Sequence, residues 1–499
     1  MAGVRPLCLS LCFVSFTVST SALAEDIDVL VLLPKNTSYI FSIAAVRPAL
    51  EYARERIVSD TGLLSGLRFR VHYEDSGCGD RALFTLVDRV FTQKPDLILG
   101  PVCEYAASDV VRVASHWDIP VVSSGALAAG FARRDRGYTH LTRIGPSYLK
   151  MAQSISALFH YFGWQSALLL YEDDREERNC YFTMEAVHSA LEPELLSIEA
   201  LSLYLEERRP DTEDIVRLVA DSEVVIMCAG GDIVRDIMLA AHHWKLTNGN
   251  YIYFNIELFN ASSYGNGSWR RGDQNDTDAK QAYAALNTLT LLRSVKPEFQ
   301  NFSVEVKRSV QKAGVPDPES GDNVNMFVEG FHDALLLYSL ALQEAVKNGF
   351  SKKNGSQITQ LMWNRTFEGI AGQVSIDANG DRNGDFSVMA MTDLEAGTYK
   401  AIFNYFGING SFQVLPGFNI DRFTLKERDR PVSTEKSCGL GVSTAMGIIL
   451  GAILGTMLVT ALYFFRKYKI IIERRCQQED YEKGKHHQLY EDSIKSDFL

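Results

Sequence analysis

The run Ile27-Asp-Val-Leu-Val-Leu-Leu33, followed by the helical pattern IAAVRPALEYARERIVS at Ile43–Ser59, decides how this 499-residue chain is read. A short apolar, β-branched run with one polar residue reads as a strand buried on both faces, and such strands pair in parallel beneath covering helices. The unit recurs. Phe69–Tyr73 precedes the helical stretch Arg81–Gln93, Leu97–Leu99 precedes Tyr105–His116, and Val121–Val122 follows. A second series places Ala167–Tyr171 before Tyr181–Leu191 and Val224–Met227 before Val234–His243, then Tyr251–Phe254. Alternating strands and helices predict an α/β protein of two doubly wound parallel-sheet lobes, breaking near Thr142–Tyr148. Beyond Asn255 the pattern turns irregular; a long helix is expected at Asn323–Ala345 and strands at Gly372–Thr392 around the turns Asn379-Gly380 and Asn383-Gly384. Open α/β sheets bind ligands at the carboxyl ends of their strands. Those ends are Tyr73–Asp80, Gly100–Tyr105, Ser123–Ala126, Tyr171–Asp174 and Cys228–Asp232, so the cleft between the lobes is the default site.

Working outward, the apolar run Gly439–Phe465 contains no charge, and its last part, Met446–Phe465, would span about 30 Å as a helix, one bilayer core. The basic residues Arg466, Lys467, Lys469, Arg474 and Arg475 follow it and place the tail inside the cell. Residues 1–24, with Arg5, the apolar stretch Leu7–Val18 and Ala22-Leu23-Ala24, read as a secretory signal. The expected organisation is a signal peptide (1–24), an extracellular bilobal region (25–437), a juxtamembrane segment (438–445), one transmembrane helix (446–465) and a short tail (466–499). That is a type I single-pass protein of the plasma membrane. Eight N-x-S/T sequons, at Asn36, Asn260, Asn266, Asn275, Asn301, Asn354, Asn364 and Asn409, all fall on the outer side. A formal charge of −12 argues against nucleic acid and is compatible with a cationic ligand or with solubility alone.

Five cysteines lie in the expected exterior: Cys78, Cys103, Cys180, Cys228 and Cys438. An oxidising compartment favours pairing. Sequence order suggests Cys78–Cys103 and Cys180–Cys228, although four cysteines allow three connectivities. The odd Cys438, just outside the membrane, reads as an interchain bridge in a homodimer, a free thiol being the alternative. Gly447, Gly451 and Gly455 give the spanning helix two overlapping G-x-x-x-G steps, a packing face for a second helix.

Catalytic motifs fail. The chain has no dinucleotide fingerprint, P-loop, nucleophile elbow or H-E-x-x-H. Asp377-Ala-Asn379-Gly-Asp381 opens like a calcium loop, but Arg382 takes the required glycine position and Val388 the bidentate glutamate position. His242-His243 and His486-His487 lack further ligands, so no metal site is expected. Arg271-Gly272-Asp273 matches an adhesion tripeptide and reads more simply as a surface turn. Asp75-Ser76-Gly77-Cys78 and Gly100-Pro101-Val102-Cys103, if stapled together, would present helix-terminal amides and a hydroxyl to an anion.

The segments LGPVCEYAA (Leu99–Ala107), ERNCYFT (Glu177–Thr183), FNIELFN (Phe254–Asn260), NMFVEGFHDA (Asn325–Ala334) and WNRTFEGIAGQVSIDANGD (Trp363–Asp381) resemble the natriuretic peptide receptors, most closely the clearance type. The tail segments YFFRKY (Tyr463–Tyr468) and IERR (Ile472–Arg475) do the same. The resemblance implies a type I periplasmic-binding-protein-like ectodomain, a disulfide-linked homodimer, and capture of atrial, B-type or C-type natriuretic peptide between two protomers. It implies peptide contacts at Asp80, Glu104, Tyr105, Arg112, Asp173, Tyr181, Phe182 and Tyr204, and a chloride ion at Ser76, Val102 and Cys103 as the sole non-protein component. Cyclase receptors of the family carry a kinase-homology and guanylyl cyclase region after the membrane, which 34 tail residues cannot hold. The resemblance therefore implies peptide uptake and degradation without enzyme activity, with inhibitory G-protein coupling through Arg466–Lys469 and Arg474–Arg475. A small-ligand sensor of amino-acid-receptor type, sharing only the fold, is the alternative from another class.

Overall fold

The opening strand forms where its apolar run predicts, and Val29–Leu33 are shielded from solvent on both faces. The computed structural model describes residues 25–59, 64, 67–174, 177–203, 212–259, 267–292, 296–314, 323–417, 420–425 and 454–469. The chain begins with β1 (Glu25–Leu33), α1 (Ile43–Val58), β2 (Leu67–Asp75), α2 (Arg81–Thr92), β3 (Leu97–Leu99), α3 (Glu104–His116), β4 (Val121–Ser123) and β5 (Leu141–Pro146). It continues through α4 (Tyr148–Phe162), β6 (Ser166–Tyr171), α5 (Asn179–Leu191), β7 (Ser197–Ser202), α6 (Thr212–Ala220), β8 (Val224–Cys228), α7 (Gly231–His243), β9 (Ile252–Ile256), α8 (Asp276–Tyr283) and β10 (Leu286–Leu291). Then come α9 (Pro297–Lys312), α10 (Met326–Lys347), α11 (Gly355–Met362), β11 (Arg365–Glu368), β12 (Gln373–Ile376) and β13 (Asp381–Arg382), and last β14 (Phe386–Asp393), β15 (Thr398–Phe406) and β16 (Ser411–Val414).

Two eight-stranded sheets result. Their orders are β11-β12-β13-β5-β4-β3-β1-β2 and β16-β15-β14-β10-β9-β8-β6-β7. Each has five parallel strands from one early stretch of chain, completed by three strands from later in the chain that pair mainly antiparallel. The sequence shows one break between lobes; the chain crosses three times, after Pro146, between β10 and α9, and after Arg382. Asn379-Gly380 is a turn joining β12 to β13, with Gly380 at φ +76°. Asn383-Gly384 is the third crossing rather than a second hairpin. A Cβ on Gly384 would stand 2.6 Å from the Pro146 Cβ, so the first and third crossings touch there.

Strand β5 is hidden in the sequence because its centre is charged. Arg143 is completely buried, forks onto Asp381 at 2.7 and 2.9 Å, and donates to the Ala126 and Ala128 carbonyls. Arg134 also bonds Asp381 and the Asn379 carbonyl. Burial would raise the Asp381 carboxyl, but the two guanidinium groups hold it below the ordinary range. This pair fastens β13 of the later chain to β5 of the earlier chain. Helix α10 enters the same lobe under an Asn325 cap that accepts from the Phe327 and Val328 amides.

Residues up to Lys426 form one unit and those from Glu427 a second. In the second unit the described residues are a helix, 454–469, with exposed apolar side chains including Leu458 and Phe465. Among the described residues no helix is long and apolar enough to cross a membrane. The expected span 446–465 begins outside them, as do residues 1–24, Tyr204, Asn260, Asn266, Cys438, Arg474 and Arg475.

Candidate functional site

The carboxyl ends of both parallel sheets face one cleft, a cavity of ≈ 700 Å³. From the first lobe it is lined by the turn before α1 and by Val102–Glu104 and Leu127; from the second by Glu172, Asp174, Glu177 and Asn179. Cys78 is joined to Cys103, with Cα atoms 5.3 Å apart, and Cys180 to Cys228, 5.4 Å apart. The first bridge staples the turn after β2 to the start of α3; the second ties α5 to the end of β8. Ser76 is buried beside the first bridge, its hydroxyl oxygen accepting from the Cys78 amide at 3.3 Å. Cys103 caps α3 without a side-chain hydrogen bond, and the bridge brings the Ser76–Cys78 turn to Val102-Cys103. Gly125 is required there, since a Cβ would stand 2.5 Å from the Val102 Cα and carbonyl oxygen.

At the rim the two lobes meet through aromatic rings. Tyr105 of α3 lies edge-on to Phe182 of α5 at 5.9 Å, Phe182 to Tyr181 at 5.3 Å, and Tyr181 to Tyr171 at 6.1 Å. Arg178 organises them. Its guanidinium donates to Asp173 at 2.6 and 3.0 Å, stands 3.8 Å over the Tyr181 ring and interacts electrostatically with the Tyr105 side chain. These bonds hold its pKa above the ordinary arginine value. The arrangement brings together Tyr105, Asp173, Tyr181 and Phe182 from the expected contacts. Arg112 lies two turns beyond Tyr105 on α3, largely exposed, with its guanidinium 5.0 Å from the Tyr138 ring. Asp80 is exposed at the start of α2.

Glu104 is turned inward. Its carboxylate accepts from the Leu127 and Ala128 amides at 2.9 and 3.2 Å, and burial pushes its pKa up to about 7. It anchors the loop after β4 to α3 rather than reaching outward. Arg178, which the sequence reading passed over within Glu177–Thr183, is the missing organiser. Its signal is an arginine two residues before a cysteine and downstream of Asp173 and Asp174. Glu177 is the other omission: a carboxylate oxygen lies within 4.8 Å of both sulfurs of the Cys78–Cys103 bridge. Bridged sulfurs are not thiolate ligands, and among the described residues this is the sole cluster of metal-ligand type.

The adhesion reading loses its geometry. Asp273 is forked by Arg235 at 2.8 and 2.9 Å and Arg271 pairs with Asp232 at 2.8 Å, so both ends of the tripeptide are engaged internally. Of the described sequons, Asn36, Asn275, Asn301, Asn364 and Asn409 are exposed, while half-buried Asn354 caps α11 by accepting from the Gln357 amide. Arg466, Lys467 and Lys469 are exposed on the 454–469 helix.

Comparison with known proteins agrees with this layout. A family described as receptor family ligand binding region matches residues 45–393. Atrial natriuretic peptide receptor 3 of mouse is 56% identical over 95% of this chain and 91% of its own length, and the human receptor 3 is 56% identical over 95% and 90%. Atrial natriuretic peptide receptor 2 of rat is 32% identical over 77% of this chain and 37% of its own length. The chain thus belongs to the natriuretic peptide receptor family and is similar to its receptor 3 members along nearly its whole length.

Proposed function

We propose that the protein is a single-pass plasma-membrane receptor that binds natriuretic peptides between two copies of its ectodomain and removes them by internalisation. Identity to receptor 3 relatives over 95% of the chain carries this reading. The rim supports it: Tyr105, Tyr181 and Phe182 offer apolar surface for peptide side chains, exposed Asp80 supplies negative charge for arginine or lysine, and Asp173, already paired with Arg178, would hold the rim in shape. A second copy has a surface to meet. Phe84 and Phe91 of α2 are 62% and 82% exposed, two turns apart on one face. Cys438 would lock that dimer covalently. Chloride fits the stapled corner, where the start of α3 lacks a side-chain cap and Ser76 supplies a hydroxyl. Glu177 beside the bridge opposes it, so the ion would be held weakly. The basic residues after the spanning helix would contact an inhibitory G protein, and the receptor would have no guanylyl cyclase activity.

A small amino-acid-type ligand in the ≈ 700 Å³ cleft is the second reading, favoured by the volume. It is disfavoured because Glu104 and Glu172 already accept backbone amides and the described lining has no arginine or lysine for an α-carboxylate. A pulse–chase of labelled C-type peptide on cells expressing the full chain tests the clearance role. Uptake and degradation without a rise in cyclic GMP supports it; surface-bound peptide that is never internalised refutes it.

A further inference from the structure

A second cavity of ≈ 300 Å³ lies wholly in the second lobe, sharing no lining residue with the cleft. Its wall is the face of the second sheet that carries Asn255 and Thr288 side by side on β9 and β10, closed by Glu257, Tyr283 and Tyr399. Two of these polar groups are buried and unsatisfied. Asn255 and Tyr283 are each 2% exposed, and neither the Asn255 Oδ1 nor the Tyr283 hydroxyl has a hydrogen-bond partner. Each such group costs about 1–3 kcal/mol, and folded proteins rarely leave them so.

Each of these groups can accept a hydrogen bond. The Asn255 Nδ2 is spent on the Glu257 Oε1 at 2.8 Å, so asparagine offers the cavity an acceptor. Glu257 adds a carboxylate, and the tyrosine and threonine hydroxyls can accept as well as donate. The described lining contains no lysine, arginine or histidine. Of the nearby cations, Arg235 is paired with Asp273, Arg422 donates to the Ala284 carbonyl, and Arg271 pairs with Asp232 while its charge still acts on Tyr283 from outside the described lining. Burial lifts the Glu257 pKa, opposed by the Asn255 bond. A half-buried carboxylate beside an unsatisfied amide oxygen repels an anion and leaves an apolar guest unpaired with its polar wall. What it lacks is a donor bearing positive charge.

We propose that this cavity is a binding site for a compact organic ammonium, a primary amine of a few carbons. Its N–H groups donate to Glu257, to the Asn255 Oδ1 and to the Tyr283 oxygen, beside the faces of Tyr283 and Tyr399. The volume is at the lower end for ligand pockets, which sets the size of the guest. The site is independent of the peptide rim.

The test is calorimetric titration of the full chain in lipid nanodiscs with ethylamine and ethanolamine, against ethanol and acetate as neutral and anionic probes. Saturable binding of the amines alone is expected, weakened at least about tenfold in Glu257→Gln and about threefold to tenfold in Tyr283→Phe. Glu257→Gln should melt no lower than the parent, since it neutralises a partly desolvated charge, so lost binding would not reflect misfolding. Absence of amine binding at millimolar concentration overturns the proposal. So does equal binding of ethanol, the mark of a cavity holding water only, or equal amine binding by Glu257→Gln.

Discussion

Replacing Arg178 by alanine removes the group that ties Tyr105 of the first lobe to Asp173 and Tyr181 of the second. The ion pair is partly sheltered, with side-chain exposures of 30% for Arg178 and 12% for Asp173. That places it between a surface pair and a buried one, at about 1 kcal/mol. The guanidinium face at 3.8 Å from the Tyr181 ring adds about 1 kcal/mol. Together about 2 kcal/mol is available to hold the rim, equivalent to about thirtyfold in an equilibrium that requires it formed. In saturation binding of labelled natriuretic peptide to membranes bearing the full chain, Arg178→Ala should raise Kd about thirtyfold with unchanged site number. Arg178→Lys, which keeps the charge but loses the fork, should fall between. A Kd for Arg178→Ala within about threefold of the parent, at equal surface expression, would refute the reasoning.

Asp381→Asn strips the carboxylate from two buried guanidinium groups and should cost about 3–5 kcal/mol, read as a lower melting midpoint of the full chain in detergent. Asp381 is held below the ordinary carboxylate range, so its contribution is present above about pH 4 and is lost as pH falls through the lower folded value. The gap between parent and variant should therefore close in acid; a gap independent of pH would contradict the pairing. Gly125→Ala should cost about 1–3 kcal/mol, because the new Cβ meets Val102 backbone atoms at 2.5 Å. An unchanged melting midpoint would show that the loop yields freely. Cys438→Ser should convert a reductant-sensitive dimer on gels to monomer, and a parent chain that runs as monomer without reductant removes the interchain bridge.

The repeated strand–helix units were legible because central parallel strands must be apolar on both faces, as Val29–Leu33 and Val224–Cys228 are. Strand β5 was not, since buried Arg143 is balanced by Asp381, 238 residues later. The same distance hides the second and third lobe crossings, which no local pattern marks. At the site, the family resemblance pointed to Tyr105, Tyr181 and Phe182. The roles of Glu104 and Arg178 depend on where their side chains turn, inward to the Leu127 amide and across to Tyr105. The ≈ 300 Å³ cavity was equally invisible, because its polar wall is assembled from β9, β10, α8 and β15.

Binding of radiolabelled atrial, B-type and C-type natriuretic peptides to cells expressing the full chain tests the central claim most directly. Saturable, mutually competitive binding at one site per disulfide-linked dimer is expected. Failure of all three peptides to bind to a chain that reaches the cell surface would contradict it.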